Sequence, residues 1–126
     1  MRGWSRAIAS VLLLSLAACQ PKYDGLIIEP VSTPPTSVTV RPFLFELPVG
    51  VAVVISVRPR SSGFEHYDSN TRVELVSLDR SVFNVQRREK DREFVLVGVS
   101  PGETCVEVRV DGVPQECIEA VVRAQD

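Results

Sequence analysis

Apolar and polar residues alternate over much of this chain with the period of two that puts every second side chain on one face of a strand. Val38 and Val40 alternate within 37–41, and Phe43, Phe45 and Leu47 alternate up to Pro48. Gly50 then opens a Val-rich run from Val51 to Val57. Segment 72–78 places Val73, Leu75 and Leu78 inward, and 81–86 offers Val82 or Phe83 together with Val85. Segments 92–99, 103–110 and 117–122 complete the set, while Leu26-Ile27-Ile28 adds a short apolar stretch able to pack as a first strand. No stretch keeps a helical period over two turns. Seven or eight short strands bounded by turn residues predict an all-β sandwich or barrel rather than a βαβ fold. Phe43, Phe45, Phe83 and Phe94 are the aromatics expected in its core.

The first residues follow a different pattern. Met1-Arg2-Gly3-Trp4-Ser5-Arg6 carries two cations and no acid, and Ala7 to Ala18 is apolar except for Ser10 and Ser15. A membrane span needs roughly 20 apolar residues, so this run is too short for one. A positive start, a short apolar core and small residues at the end make a secretory signal peptide. The run closes on Leu16-Ala17-Ala18-Cys19, which resembles the lipobox of bacterial lipoproteins. Small side chains admit the backbone to a signal peptidase, and a thiol is the group that accepts a diacylglyceryl thioether. The resemblance implies that residues 1–18 are removed and that Cys19 becomes a lipidated N-terminus. Two or three acyl chains, each buried CH₂ contributing about 0.8 kcal/mol, make a stable anchor. Gln20 stands where an Asp would signal inner-membrane retention, so the resemblance points to the outer membrane.

Removing 1–18 leaves 108 residues, enough for one domain with one core. It also takes Arg2 and Arg6 from fourteen cations and nothing from sixteen acids, so the mature net charge is −4. A mildly acidic module has no electrostatic footprint for nucleic acid. With Cys19 assigned to lipid, Cys105 and Cys117 remain as an even pair in an oxidising compartment. Between them, alternation up to Val110 followed by Asp111-Gly112 reads as a hairpin. A three-residue loop, Val110 to Gly112, would pair Arg109 with Val113 and set Cys105 opposite Cys117, ready for a disulfide. Two free thiols are the alternative; a zinc centre would need further Cys or His ligands. Residues 19–36, with Pro21, Pro30, Pro34 and Pro35 among Ser and Thr, read as an extended tether. The folded domain is then expected over 37–126, with its start between Gly25 and Ser37.

Three segments carry a second resemblance. Phe45-Glu46-Leu47-Pro48-Val49-Gly50 has an apolar strand leading to a Gly turn, and Val76 to Val85 has a Ser-x-Asp turn, Ser77-Leu78-Asp79, leading into a strand. Phe94 to Val108 has two apolar strands joined by Ser100-Pro101-Gly102. In this order and spacing they are similar to bacterial Ig-like group 2 domains, which implies an immunoglobulin-like β-sandwich over roughly 36–123. Many members carry a Trp before the Ser-x-Asp turn, where this chain has Val73-Glu74-Leu75-Val76. The cysteine pair is not a general feature of that family.

No catalytic set is evident. The single His66 lies in 58–70, the longest segment without strand character, beside Glu65, Asp68 and Asn70. These side chains form no calcium-loop or zinc motif, and the plain reading is a solvated loop. Loops carry binding more often than sheets do, so Phe64, His66 and Tyr67 are the candidate contact residues. Arg87 to Glu93, with four cations among three acids, reads as a solvated hairpin tip. The expectation is a non-catalytic, lipid-anchored envelope protein without cofactor, serving adhesion, scaffolding or accessory interactions with a surface protein or glycan. The alternative is an inhibitor or assembly factor of an envelope complex that binds through the 58–70 loop.

Overall fold

The computed structural model describes residues 21–125; the signal expected over 1–18, Cys19, where lipidation is expected, and Gln20 lie outside the described residues. Nine strands form two sheets: β1 (Tyr23–Pro30), β2 (Thr39–Arg41), β3 (Leu44–Pro48), β4 (Ala52–Ser61), β5 (Val73–Ser77), β6 (Phe83–Arg87), β7 (Glu93–Gly98), β8 (Gly102–Val110) and β9 (Val113–Arg123). One sheet has the order β1-β4-β7-β6 and the other β2-β3-β9-β8-β5. All neighbours are antiparallel except β3 and β9, which run parallel.

The period-two alternation fills the space between the sheets. Leu26, Val53, Ile55, Val57, Phe83, Val85 and Leu96 come from the first sheet; Phe45, Leu47, Leu75, Val106, Val108, Ile118 and Val122 come from the second. Phe45 and Phe83 meet with parallel rings, centroids 6.1 Å apart, and so join β3 of one sheet to β6 of the other. Phe43 departs from the expected core. Arg41 pairs with Leu44, which leaves Pro42 and Phe43 as a two-residue turn, and the Phe43 ring is 65% exposed. Leu78, one residue past the end of β5, is exposed as well.

The 19–36 tether is shortened by β1. Its residues pair with β4 from Tyr23↔Ser61 to Pro30↔Ile55, and Leu26 is buried. Pro30 can occupy this place because β1 is the outer strand of its sheet. Among the described residues, strand structure therefore begins at Tyr23, just before the Gly25 to Ser37 window expected for the start of the domain.

The strand directions define two ends. The start of β1, the β4–β5 loop (62–72), the β6–β7 turn (88–92) and the β8–β9 tip share one end. The Val49-Gly50 turn, the Ser77 to Val82 turn and the β7–β8 turn share the other. At this second end, Asp79 Oδ1 accepts hydrogen bonds from the backbone N–H and hydroxyl of Ser81, and the Asp79 carbonyl accepts from Phe83 N at 3.1 Å. The Ser-x-Asp segment is thus a closed turn that aims Phe83 into the core.

Candidate functional site

The cysteine pair forms a disulfide, with its Cα atoms 5.5 Å apart, but not in the expected register. Asp111 and Gly112 both take positive φ, 49° and 81°, as a two-residue hairpin turn of primed type requires. Val110 therefore pairs with Val113 and Arg109 with Pro114. Gln115 is then an extra residue on β9, since Val108 pairs with Glu116. Cys105 faces Glu119, Cys117 faces Glu107, and the bridge runs diagonally. The tighter turn and the bulge each move the register by one residue. Either alone would send one cysteine to the opposite face; together they keep both on the outer face, where Cys117 is exposed and Cys105 half-buried. Replacing both with serine should cost about 2–3 kcal/mol and leave the fold intact. Urea denaturation of the two forms checks this, and an unchanged midpoint would show that the bridge contributes nothing.

The 58–70 segment is only partly loop. Arg58 to Ser61 belong to β4 and pair with β1, so the connection proper is 62–72. It is stitched at both ends. Ser62 N donates to the Lys22 carbonyl at 3.1 Å, and Lys22 N donates to Ser61 Oγ at 3.3 Å. At the other end, Asp68 Oδ1 accepts from Asn70 N at 2.8 Å and from the Thr71 hydroxyl at 3.3 Å. Arg72 N donates to Asp111 Oδ1 at 2.9 Å, and Asp111 N returns a bond to the Arg72 carbonyl at 2.8 Å.

Arg92, from the charged run read as a solvated tip, adds to the fastening of this far end of the loop. Its guanidinium donates to the carbonyls of Asp68 at 2.7 Å and Thr71 at 2.8 Å. Its own backbone sits at φ 64°, an uncommon conformation for a long side chain, while its carbonyl accepts from Val57 N at 2.9 Å. Elsewhere in the run the expectation holds more closely, with the Arg87 and Asp91 side chains paired in solvent. Glu93, by contrast, is buried and bound to Arg88 at 3.1 Å.

The three candidate contact residues separate. Phe64 is 103% exposed and touches no core residue. Tyr67 is half-buried and packs against the core. His66 is exposed and lines, with Tyr67, two open concavities on either side of the loop. The larger, about 480 Å³, is completed by residues including Pro21, Thr71, Asp111 and Gln115; the smaller, about 290 Å³, by residues including Arg58, Arg60 and Arg92. Among the described residues, no three His, Cys, Asp or Glu side chains gather in a metal-holding arrangement.

Tyr23 closes the core at this end. Its hydroxyl is buried without a hydrogen bond of normal geometry, although the Glu116 carboxylate stands close enough to act on it. Burial first, and then Glu116, push its pKa far above the usual tyrosine value. Burial, and secondarily Asp111, raise Tyr67 in the same direction. Both phenols stay neutral at ordinary pH and serve as amphipathic packing groups at this end of the core.

No family model matches the chain, and no curated protein matches it. Among solved structures, a similar chain comprises domains 4 and 5 of the S-layer protein SbsC, at 14% sequence identity and a TM-score of 0.43. The match covers 82% of this chain and 53% of that one, so the chain spans about half the length of this structural neighbour.

Proposed function

We propose that this is a lipid-anchored protein of the bacterial envelope that presents an immunoglobulin-like β-sandwich as a non-catalytic module for adhesion, scaffolding or accessory contacts. The division of the three cysteines carries the reading. Cys105 and Cys117 take each other, which leaves Cys19 at the end of Leu16-Ala17-Ala18-Cys19 for the lipid. An exposed disulfide persists in an oxidising compartment, and that supports an extracytoplasmic domain. The closed Ser77-Leu78-Asp79 turn and the Gly50 turn between the two sheets support likeness to bacterial Ig-like group 2 domains. Gln20 favours the outer membrane, and the partner is a surface protein or glycan.

A Cys19→Ser variant tests the anchor. It should move from the membrane to the soluble envelope fraction, and its mass should lack the acyl chains of the parent. Retention on the membrane at full strength would refute the assignment.

A further inference from the structure

We propose that the β4–β5 loop is a membrane-contact element, with Phe64 seated in the lipid interface, so that the sandwich docks end-on against the bilayer that holds its anchor. The inference rests on the Cys19 lipid proposed above and goes further by assigning a lipid-facing surface to the folded domain.

Distance carries the first part. Ser62 N bonds the Lys22 carbonyl, and Lys22 N bonds Ser61 Oγ, so the chain entry and the loop are one hydrogen-bonded unit. Cys19 is three residues before Lys22, and three residues reach at most about 10 Å. Phe64 is two residues beyond Ser62, about 7 Å of chain. A lipid on Cys19 therefore holds the loop close to the interface, because pairing of β1 from Tyr23 onward leaves no tether of useful length. The part of the 19–36 segment nearest the anchor among the described residues, Tyr23 to Pro30, is strand and cannot lift the domain.

Chemistry carries the second part. Phe64 is the most exposed large apolar residue among the described residues. Its loop is fastened before the ring by the Ser62–Lys22 and Gly63–Ser61 bonds and beyond it by Arg92, Asp68 and Asp111, which limits the ordering that presenting the ring requires. An exposed aromatic side chain suits the boundary between headgroups and acyl chains.

Charge indicates which kind of lipid contact this is. Around the loop, Arg58 pairs with Glu29, Arg60 with Asp24, and Arg72 with Glu74. Lys22, Lys90 and Arg92 make no ion pair among the described residues, but Glu65, Asp68, Glu89 and Asp111 lie at the same end, so that end offers no polybasic attraction to anionic lipid. Contact is made through the ring, and a zwitterionic surface suffices. A soluble protein partner would have to reach Phe64 within about 20 Å of the anchor.

The test uses the full lipidated protein carrying Phe64→Trp, in phosphatidylcholine vesicles. Trp4 is the sole tryptophan of the sequence, so signal cleavage leaves the introduced indole as the only one. Val99→Trp marks the opposite end, roughly 30 Å away along the ten residues of β4. The indole at position 64 should emit further to the blue than the one at position 99. Brominated phosphatidylcholine should quench it at least threefold more, and aqueous iodide less, in 0.1 M and 0.5 M salt alike. Equal iodide quenching at both positions in a protein whose mass shows the lipid would overturn the inference and leave the anchor standing. Shielding from iodide without bromolipid quenching would assign Phe64 to a protein contact and also overturn it. A mass without lipid would remove the anchor reading first, and this inference with it.

Discussion

Replacing Phe83 with alanine should destabilise the sandwich by about 3–5 kcal/mol, a large part of the roughly 5–15 kcal/mol that holds a domain of this size. Phe83 is fully buried, and its ring lies 6.1 Å from that of Phe45, with the two planes inclined by 12°. One ring comes from each sheet, so the truncation removes a contact between layers and leaves a cavity that neither sheet can close without sliding. Aromatic pairing contributes about 0.5–1.5 kcal/mol beyond buried area, which places the loss toward the upper part of the range. Phe43→Ala provides the comparison. That ring projects from the Pro42-Phe43 turn, and its removal should change stability by less than about 0.5 kcal/mol. Urea unfolding of the two variants separates them, and similar losses would mean that Phe43, not Phe83 alone, is built into the core.

Gly98→Ala should be nearly as damaging, although it adds only a methyl group. A Cβ at this position would stand 2.5 Å from the Pro48 carbonyl oxygen and 3.2 Å from both the Pro48 carbonyl carbon and Val122 Cγ1. Backbone atoms cannot rotate away as a side chain does. Gly98 cannot retreat either: its N–H donates to the Val51 carbonyl at 3.1 Å and its carbonyl accepts from Gly50 N at 2.8 Å. Overpacking of this kind costs about 1–3 kcal/mol, and the immobility of both neighbours sets the expectation near 3. At roughly 4–8 °C per kcal/mol for a domain of this size, the melting temperature should fall by roughly 12–24 °C. Circular dichroism melts check it, and a shift below roughly 3 °C would show that the two sheets can separate here.

Much of the sandwich was legible in the sequence because period-two alternation survives wherever one face of a strand is buried. β4 to β8 are each recognisable from Val, Leu, Ile and Phe at alternate positions. Strand ends were less readable, since alternation does not show where a chain turns. Phe43 keeps step with Phe45 and Leu47, yet Pro42 makes it part of a hairpin turn. β1 was partly hidden by the prolines and hydroxylated residues that follow it, with Leu26-Ile27-Ile28 as its trace. The disulfide partners followed from counting cysteines, whereas their diagonal register depends on the bulge at Gln115, which has no local signature. The loop's fastening was beyond local reading altogether. Arg92 acts on carbonyls 21 and 24 residues away, and only the meeting of two connections at one end brings them within reach.

The place of β9 has a consequence for assembly. It stands in the middle of its five-stranded sheet, between β3 and β8, yet it comes last in order along the chain. Until residues 113–123 arrive, β2 and β3 form a two-stranded ribbon with an unpaired edge, a template for intermolecular pairing. The β8–β9 hairpin, whose cysteines are 12 positions apart, closes locally and with little search. Oxidation can thus lock this hairpin before β3 docks on it, so that the last of the nine described strands becomes the surface on which the first two strands of that sheet are laid.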